Sequence, residues 1–459
     1  MKRYLLRIFA YVLLIPFLTS CGLFPGQGGR QPIAPPGKKD AVTLGTPGAH
    51  IPRNFIGFNL ELDELCTILV DDEEQGITYE RLYTKLDTGT LHIGGHTADL
   101  GTWDPYSVSS CTSEPPVVTV ELLQRFFAFA KKIRWQVVWT LPLISNNPQD
   151  AASEAIMVAQ MGSSSLTAFS IGNEPELYIQ HHERPPEWSY ENYHYEWEKV
   201  YNMVLASIPH AVFIGPDTCC TSPFFENFVD DEGAQHSIAV VTHHYYTRGM
   251  VDPYPTITQF LSQKTNQEFT EALSDWISLA HIEGLPLAIT EGNSISDGGA
   301  PGVSNTFAAV LWTIVTMMQA AVSEVQQFDI QEAPNASYNA ISDSGQPTAI
   351  YQAMLFVHSV ISSSRIVPIQ FPTRWPTLIF ATKDSTGHAH MILVNYDLTK
   401  DVTVNLKPNG MVTHPSAQCL EASSLVTTQD IHLKNMPVTQ QGETISTTVP
   451  AGSAEDVTF

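Results

Sequence analysis

Two short runs carry the residues best suited to chemistry. Phe169-Ser170-Ile171-Gly172-Asn173-Glu174-Pro175 and Ile289-Thr290-Glu291-Gly292-Asn293-Ser294 each lead an apolar stretch straight into a glutamate. A carboxylate beside a buried apolar layer is costly unless it is paired or its pKa shifts. One such residue is ordinarily a cap or an ion-pair partner. Two of them, flanked by Asn and other polar groups, suit cleavage of a glycosidic bond. An acid must protonate the departing oxygen, and a second carboxylate must lie beneath the developing oxocarbenium ion. A pocket that raises one pKa and leaves the other group ionised lets one residue type fill both roles.

Glutamates so far apart in sequence meet only if the fold brings strand ends to one mouth. Apolar runs at 55–61, 91–94, 136–141, 166–172, 211–215, 238–244, 286–290 and 324–330 read as strands, and helical spacing recurs between them, most clearly at 121–134, 190–207, 270–282 and 303–321. This α/β alternation predicts a (β/α)₈ TIM barrel over 41–349, whose functional face is the C-terminal ends of the strands. Glu174 and Glu291 then end strands four and seven. A doubly wound open sheet competes, but no Gly-x-Gly-x-x-Gly follows any strand. After a last apolar helix at 349–361, short β-rich runs at 377–381, 389–396 and 402–406 predict a C-terminal antiparallel β-sandwich domain over 350–459.

The N-terminus reads as an export segment. Lys2, Arg3 and Arg7 precede an apolar stretch at 8–18 that is too short to favour a membrane span, and Leu18-Thr19-Ser20-Cys21 closes it. Residues 1–21 resemble a bacterial lipoprotein signal peptide, which implies lipidation of Cys21. Gly22 after it implies passage to the outer membrane, or a periplasm-facing position in the bacterial cell envelope. The Pro- and Gly-rich stretch 22–40 reads as an extended tether. The only membrane association expected is this N-terminal lipid anchor.

Composition narrows the partners. A formal net charge of −24 with no Lys/Arg run excludes nucleic acid. Beyond Cys21 five cysteines remain. No Cys-x-x-Cys spacing suggests zinc, Cys66 with Cys111 is a possible disulfide, and vicinal Cys219-Cys220 reads as loop packing. His181-His182 with Glu183, and His388 with His390, are isolated groups of the kind usually found at surfaces. No metal or organic cofactor is expected. Asp71-Asp72-Glu73-Glu74 reads as a solvated loop.

The strand-four and strand-seven runs resemble retaining glycosidases whose acid/base follows Asn. More narrowly, Leu91-His92-Ile93-Gly94-Gly95-His96-Thr97-Ala98-Asp99, His243-His244-Tyr245-Tyr246 and Gly298-Gly299-Ala300-Pro301-Gly302-Val303-Ser304 resemble glycoside hydrolase family 79, the β-glucuronidase and heparanase family. The resemblance implies Glu174 as acid/base, Glu291 as nucleophile and Asn173 on the sugar 2-hydroxyl. It implies Tyr245 or Tyr246 orienting Glu291, with His244 of the same run in the substrate site. Glu61 and Asp99 would contact ring hydroxyls, though both also read as loop-capping acids. Tyr338 would meet the uronate carboxylate. His92 stands where the family usually has Arg. The carbohydrate substrate implied is a β-glucuronide. With no basic groove for a sulfated polymer, exo action by a retaining β-glucuronidase is the expected function. Another retaining hydrolase of the clan on a neutral or modified sugar, or a non-catalytic glycan-binding lipoprotein, are the alternatives.

Overall fold

The computed structural model describes residues 41–69, 73–108, 113–220, 223–249, 255–370, 375–408, 410 and 412–459. The signal segment 1–21 with Cys21, the tether 22–40, Asp71, Asp72 and Cys111 lie outside the described residues.

Alternation along the first barrel strand sets out the architecture. In β1 (Ile56–Glu61) the side chains take opposite faces in turn. Phe58 packs outward on Tyr83 and Trp135, with ring centroids 5.0 and 5.8 Å away. Gly57 and Asn59 face inward, where a Cβ on Gly57 would collide with the Asp329 carboxylate and Asn59 reaches Glu291. The other strands are β2 (Thr90–Gly94), β3 (Gln136–Leu141), β4 (Leu166–Ile171), β5 (Ile214–Thr218), β6 (Val240–Arg248), β7 (Leu287–Ile295) and β8 (Phe328–Glu332). All pair in parallel in the order β4-β3-β2-β1-β8-β7-β6-β5. A parallel bridge between Phe169 and Phe213, with the Phe169 N–H donating to Val212 O at 2.8 Å, joins the two ends into a barrel. Val138, Ala168 and Ile214, with Val240 against them, form a small separate apolar cluster. The interior above it is polar.

Helices follow every strand and bury the outer faces. The helix Val120–Ile133 is started by Thr119, whose hydroxyl accepts from the Leu122 N–H, and it buries Leu123, Phe126, Phe127, Ala130 and Ile133. Pro148–Gly162 starts on Asn147 in the same way, and Gln263–Ile282 on Ser262. Strand five lies at Ile214–Thr218, later than the apolar run at 211–215, because its Gly-Pro-Asp-Thr portion has the composition of a turn. Glu73 and Glu74 open the helix Glu73–Lys85 instead of lying in a loop; acidic residues suit a helix N-terminus as well as a solvated turn.

The second domain is a sandwich of two sheets. One runs Ile369–Gln370, Val42–Leu44, Val402–Lys407, Thr444–Val449, Thr439–Gln441; the other runs Arg365–Ile366, Thr377–Lys383, Ala389–Asn395, Ser453–Thr458, Ser416–Glu421, His432–Met436. Every pair is antiparallel except Val42–Leu44 with Val402–Lys407. Val42, Ile379, Met391, Leu393, Val404, Leu406, Ile445 and Val457 share its core. The N-terminal strand Val42–Leu44 is thus a sandwich strand, although the sequence division places it with the barrel.

The helix Phe307–Val322 is apolar on nearly every face because it is covered on nearly every face. Ala349–Ile361 packs along it, the Phe307 and Ala308 N–H groups donate to Thr427 O and Leu425 O, and the Tyr396 hydroxyl donates to Leu311 O at 3.3 Å. Sandwich residues therefore satisfy two of the four orphan donors at its start. The helix Ala349–Ile361 belongs structurally to the barrel ring.

Phe58 is fully buried where β1 meets two aromatic rings, so Phe58→Ala should cost about 3–5 kcal/mol of stability. Urea unfolding read by tryptophan fluorescence checks it; an unchanged midpoint would mean that this contact does not hold the barrel wall.

Candidate active site

Glu174 follows β4 through a forced turn. Gly172 has φ 78°, and Glu174 itself lies in the left-handed region at φ 48°, ψ 53°. For a residue with a side chain this conformation costs on the order of 1–3 kcal/mol, and surrounding contacts must hold it. The Glu174 N–H donates to Asp217 O at 2.9 Å and its carbonyl accepts from the Leu177 N–H at 2.8 Å. The carboxylate is thereby turned into the barrel mouth.

Glu291 is aimed by a different device. The register of β7 shifts against both neighbours between Ile289 and Glu291 or Gly292, a bulge that re-aims the side chain. Glu291 Oε1 accepts from the Tyr246 hydroxyl at 2.6 Å and Oε2 from Asn59 Nδ2 at 2.7 Å. Burial pushes its pKa up to about 7, against the pull of the His244 charge; the Glu174 carboxylate adds to the rise and the Tyr246 hydroxyl opposes it.

His244 joins the two acids. Its Nδ1 lies 2.8 Å from Glu174 Oε1 and 3.7 Å from Glu291 Oε2, while Nε2 faces Asp217 Oδ1 at 3.7 Å. One oxygen of Glu174, one of Glu291 and a ring nitrogen of His244 all lie within 4.8 Å of one another. Burial alone would lower the His244 pKa, but Glu291, Asp217 and Glu174 together raise it well above the usual imidazole value. The three carboxylates around the ring therefore favour its protonated form. Burial would raise Asp217, yet the nearby His244 and His92 rings and the Thr290 hydroxyl hold it well below the usual carboxylate range. The Thr290 hydroxyl also donates to Asp217, at 2.6 Å. His92 lies beneath, with Nε2 3.1 Å from the Thr140 hydroxyl and Nδ1 3.4 Å from Thr290 O, and burial lowers its pKa.

The residues expected from sequence divide into two sets. Glu174, Glu291, His244 and Tyr246 meet, with Asn173 adjoining them. Tyr338, 3% exposed, lies 6.4 Å from Tyr246 between ring centroids. The His244 side chain is 1% exposed and spans the carboxylates, so it organises the acids and does not face a sugar. Of the two tyrosines only Tyr246 reaches Glu291. Tyr245 points the other way and packs on Phe269, Trp276 and Trp312, as strand alternation requires.

Asp99 and Glu61 brace loops. Asp99 is buried and accepts from the N–H groups of Leu143, Ile144 and Asn173 and from the Tyr178 hydroxyl, leaving no face for a ring hydroxyl. Half-buried Glu61 accepts from the N–H groups of His96 and Thr97, the Thr97 hydroxyl and Gln331 Nε2. Burial raises its pKa to about 8, although the Thr97 hydrogen bonds oppose the rise and Glu291 adds to it.

Asn59, Asp217 and Gln331 were not singled out from sequence. Asn59 donates to Gln331 Oε1 at 2.6 Å as well as to Glu291. The available signal was the inward period-two set Gly57, Asn59, Glu61. Cys219 and Cys220 are free thiols whose N–H groups donate to Glu176 Oε1 at 2.7 and 3.1 Å, a loop-packing arrangement. Cys66 is disulfide-bonded.

No family model matches the chain. A β-glucuronidase of Aspergillus niger is 23% identical over 281 residues, 54% of this chain and 51% of that protein. A β-glucuronidase of Neurospora crassa is 24% identical over 352 residues, 66% of this chain and 60% of that protein. The chain thus spans about half to three-fifths of the length of the curated relatives it matches. Among solved structures, the 4-O-α-L-rhamnosyl-β-D-glucuronidase of Fusarium oxysporum 12S superposes with a TM-score of 0.78 at 18% identity, over 92% of this chain and all of that one. The barrel with its added sandwich is the fold shared with that hydrolase, and the family 79 likeness seen in the motifs is borne out by relatives named β-glucuronidase.

Proposed function

We propose that the chain is a retaining exo-β-glycosidase, a β-glucuronidase that removes terminal glucuronic acid from glucuronides or glycan side chains. The observation that carries this reading is the approach of Glu174 and Glu291 to within 4.8 Å across a shared imidazolium. Oxygens that come this close leave little room for the water that inversion places between carboxyl groups roughly 6.5–9.5 Å apart, and so favour retention, for which the groups stand about 5–5.5 Å apart. The glucuronidase names of the relatives support the sugar assignment.

Glu291, gripped by Tyr246 and Asn59, attacks the anomeric carbon while Glu174 protonates the leaving oxygen. Glu174 then deprotonates water, which releases the sugar with retained configuration. The His244 cation favours the ionised form of Glu291 before attack. Asn173, fixed through its backbone to Asp99, offers its side-chain amide to the 2-hydroxyl, and Tyr338 faces the same mouth for the uronate carboxylate. A lipid on Cys21 would keep the activity at the bacterial cell envelope.

Hydrolysis of an aryl β-glucuronide, compared with aryl xyloside, arabinoside and glucoside, tests the substrate; preference for a neutral sugar would overturn the uronate assignment. Glu291→Gln should lower kcat by on the order of 10⁴-fold or more. Glu174→Gln should lose about 10²–10⁴-fold on poor leaving groups, yet keep most of its first-step rate with a good one. Equal loss on both would refute the assigned roles.

Because Glu291 must be ionised to attack and titrates near 7, kcat/KM should fall as pH drops through about 7. Tyr246→Phe removes a hydrogen bond to the anion, so this acid limb should move to higher pH. A limb that stays put, or moves lower, would show that Tyr246 does not set the ionisation of Glu291.

Export and lipidation are checked by palmitate labelling of producing cells, which should mark the protein and be lost in Cys21→Ser; labelling that survives this change would exclude the anchor.

A further inference from the structure

A cluster at the rim of the mouth takes no part in the proposed reaction. His96 stands in the short helix Gly95–Leu100 directly after β2, and His181 and Glu183 lie in the loop after β4. His96 Nε2 is 3.2 Å from Glu183 Oε1, and the His96 and His181 rings meet edge to face with centroids 5.1 Å apart. One donor atom from each of the three residues lies within 4.8 Å of the other two.

Glu183 makes the cluster unusual. Its side chain is 10% exposed, and its buried Oε2 has no hydrogen-bond partner among the described residues. Its backbone is fixed, the N–H donating to Tyr178 O at 2.8 Å. The neighbouring Arg184 forms no ion pair with it. That guanidinium is spent on the carbonyls of Ile144, Leu143 and Glu183 and on the Glu196 carboxylate. A nine-tenths buried carboxylate therefore places one oxygen beside both imidazoles and leaves its Oε2 unpartnered.

We propose that His96, His181 and Glu183 bind a divalent transition-metal ion, best matched by zinc, that ties the loop after β2 to the loop after β4. Two imidazole nitrogens and one carboxylate oxygen are a borderline-soft set suited to zinc and its transition-metal neighbours. Calcium and magnesium call for shells dominated by oxygen. Donors about 2.0–2.1 Å from one tetrahedral ion stand about 3.3 Å apart, close to the spacing of His96 Nε2 and Glu183 Oε1. Small rotations of the exposed His181 would complete the set, with solvent as the fourth ligand. The cluster shares no residue with the group formed by Glu174, His244 and Glu291, and its existence does not depend on the glycosidase reading.

The test uses zinc ion alone on the full chain after chelator treatment, followed by calorimetric titration and by thermal unfolding. One zinc per chain should bind and raise the unfolding midpoint, because a ligand held only by the folded state stabilises it. His181→Ala, a surface change, should leave the zinc-free midpoint unchanged, weaken binding at least tenfold and abolish the zinc-dependent rise. Glu183→Gln should weaken binding similarly. The double change Cys219→Ser, Cys220→Ser should bind zinc as the unaltered chain does. Absence of binding, binding undiminished by His181→Ala, or binding removed by the cysteine changes would each overturn the proposal.

Discussion

Three carboxylates converge on one buried imidazolium, and the rest of the mouth depends on that meeting. Glu174, Glu291 and Asp217 would repel one another in a site nearly closed to water; His244 touches all three. The cation lets acidic groups sit close enough to act on one bond, and removing it would leave uncompensated buried charge, a situation far more costly than the pair itself is stabilising. The arrangement is also graded. The charges beside Asp217 hold its carboxyl well below the usual range, whereas burial pushes Glu291 up to about 7, where small changes in its contacts alter its ionisation.

The supports of this group reach down the barrel. Asn59 holds Glu291 and is held by Gln331, so β1, β7 and β8 share one hydrogen-bonded strut. The paired glycines at the end of β2 make room for side chains of β1. A Cβ on Gly94 would come within 2.3 Å of Asn59 Oδ1, and one on Gly95 within 2.4 Å of Glu61 Oε1. Gly94 has an ordinary extended backbone, so the constraint there is space; Gly95, at φ 74°, is constrained by both space and conformation. The Gly-Gly motif is the clearance that lets two side chains from the neighbouring strand cross in front of it.

Much of this was legible from sequence, for identifiable reasons. Apolar runs ending in Glu mark strand ends because a charge can be tolerated there only at a mouth. That is why the eight strands and the positions of Glu174 and Glu291 could be read. Strand five was displaced because Gly215, Pro216 and Asp217 have turn composition while serving as a strand, and Asp217 was missed with it. Asn59 and Gln331 lie in mid-strand, where polar residues look like solvent-facing alternation unless the barrel interior is known to be polar. Asp99 reads both ways in sequence because an acid that braces a loop from within and an acid that meets a ligand have the same neighbours there. Tyr245 and Tyr246 could be separated only by strand phase, and the bulge in β7 showed that phase cannot be carried across such strands by counting.

The strand Val42–Leu44 has an implication for how the chain is made. It leaves the ribosome early, yet both its partners, Val402–Lys407 and Ile369–Gln370, are synthesised only after the entire barrel; the Thr43 hydroxyl bonds to a carbonyl 327 positions later. An unpaired edge must therefore wait through most of translation, a span in which such a segment is open to wrong partners. Its brevity limits that hazard, since three residues present little template for misassembly, and its late docking makes completion of the sandwich a report that the intervening barrel chain has been delivered.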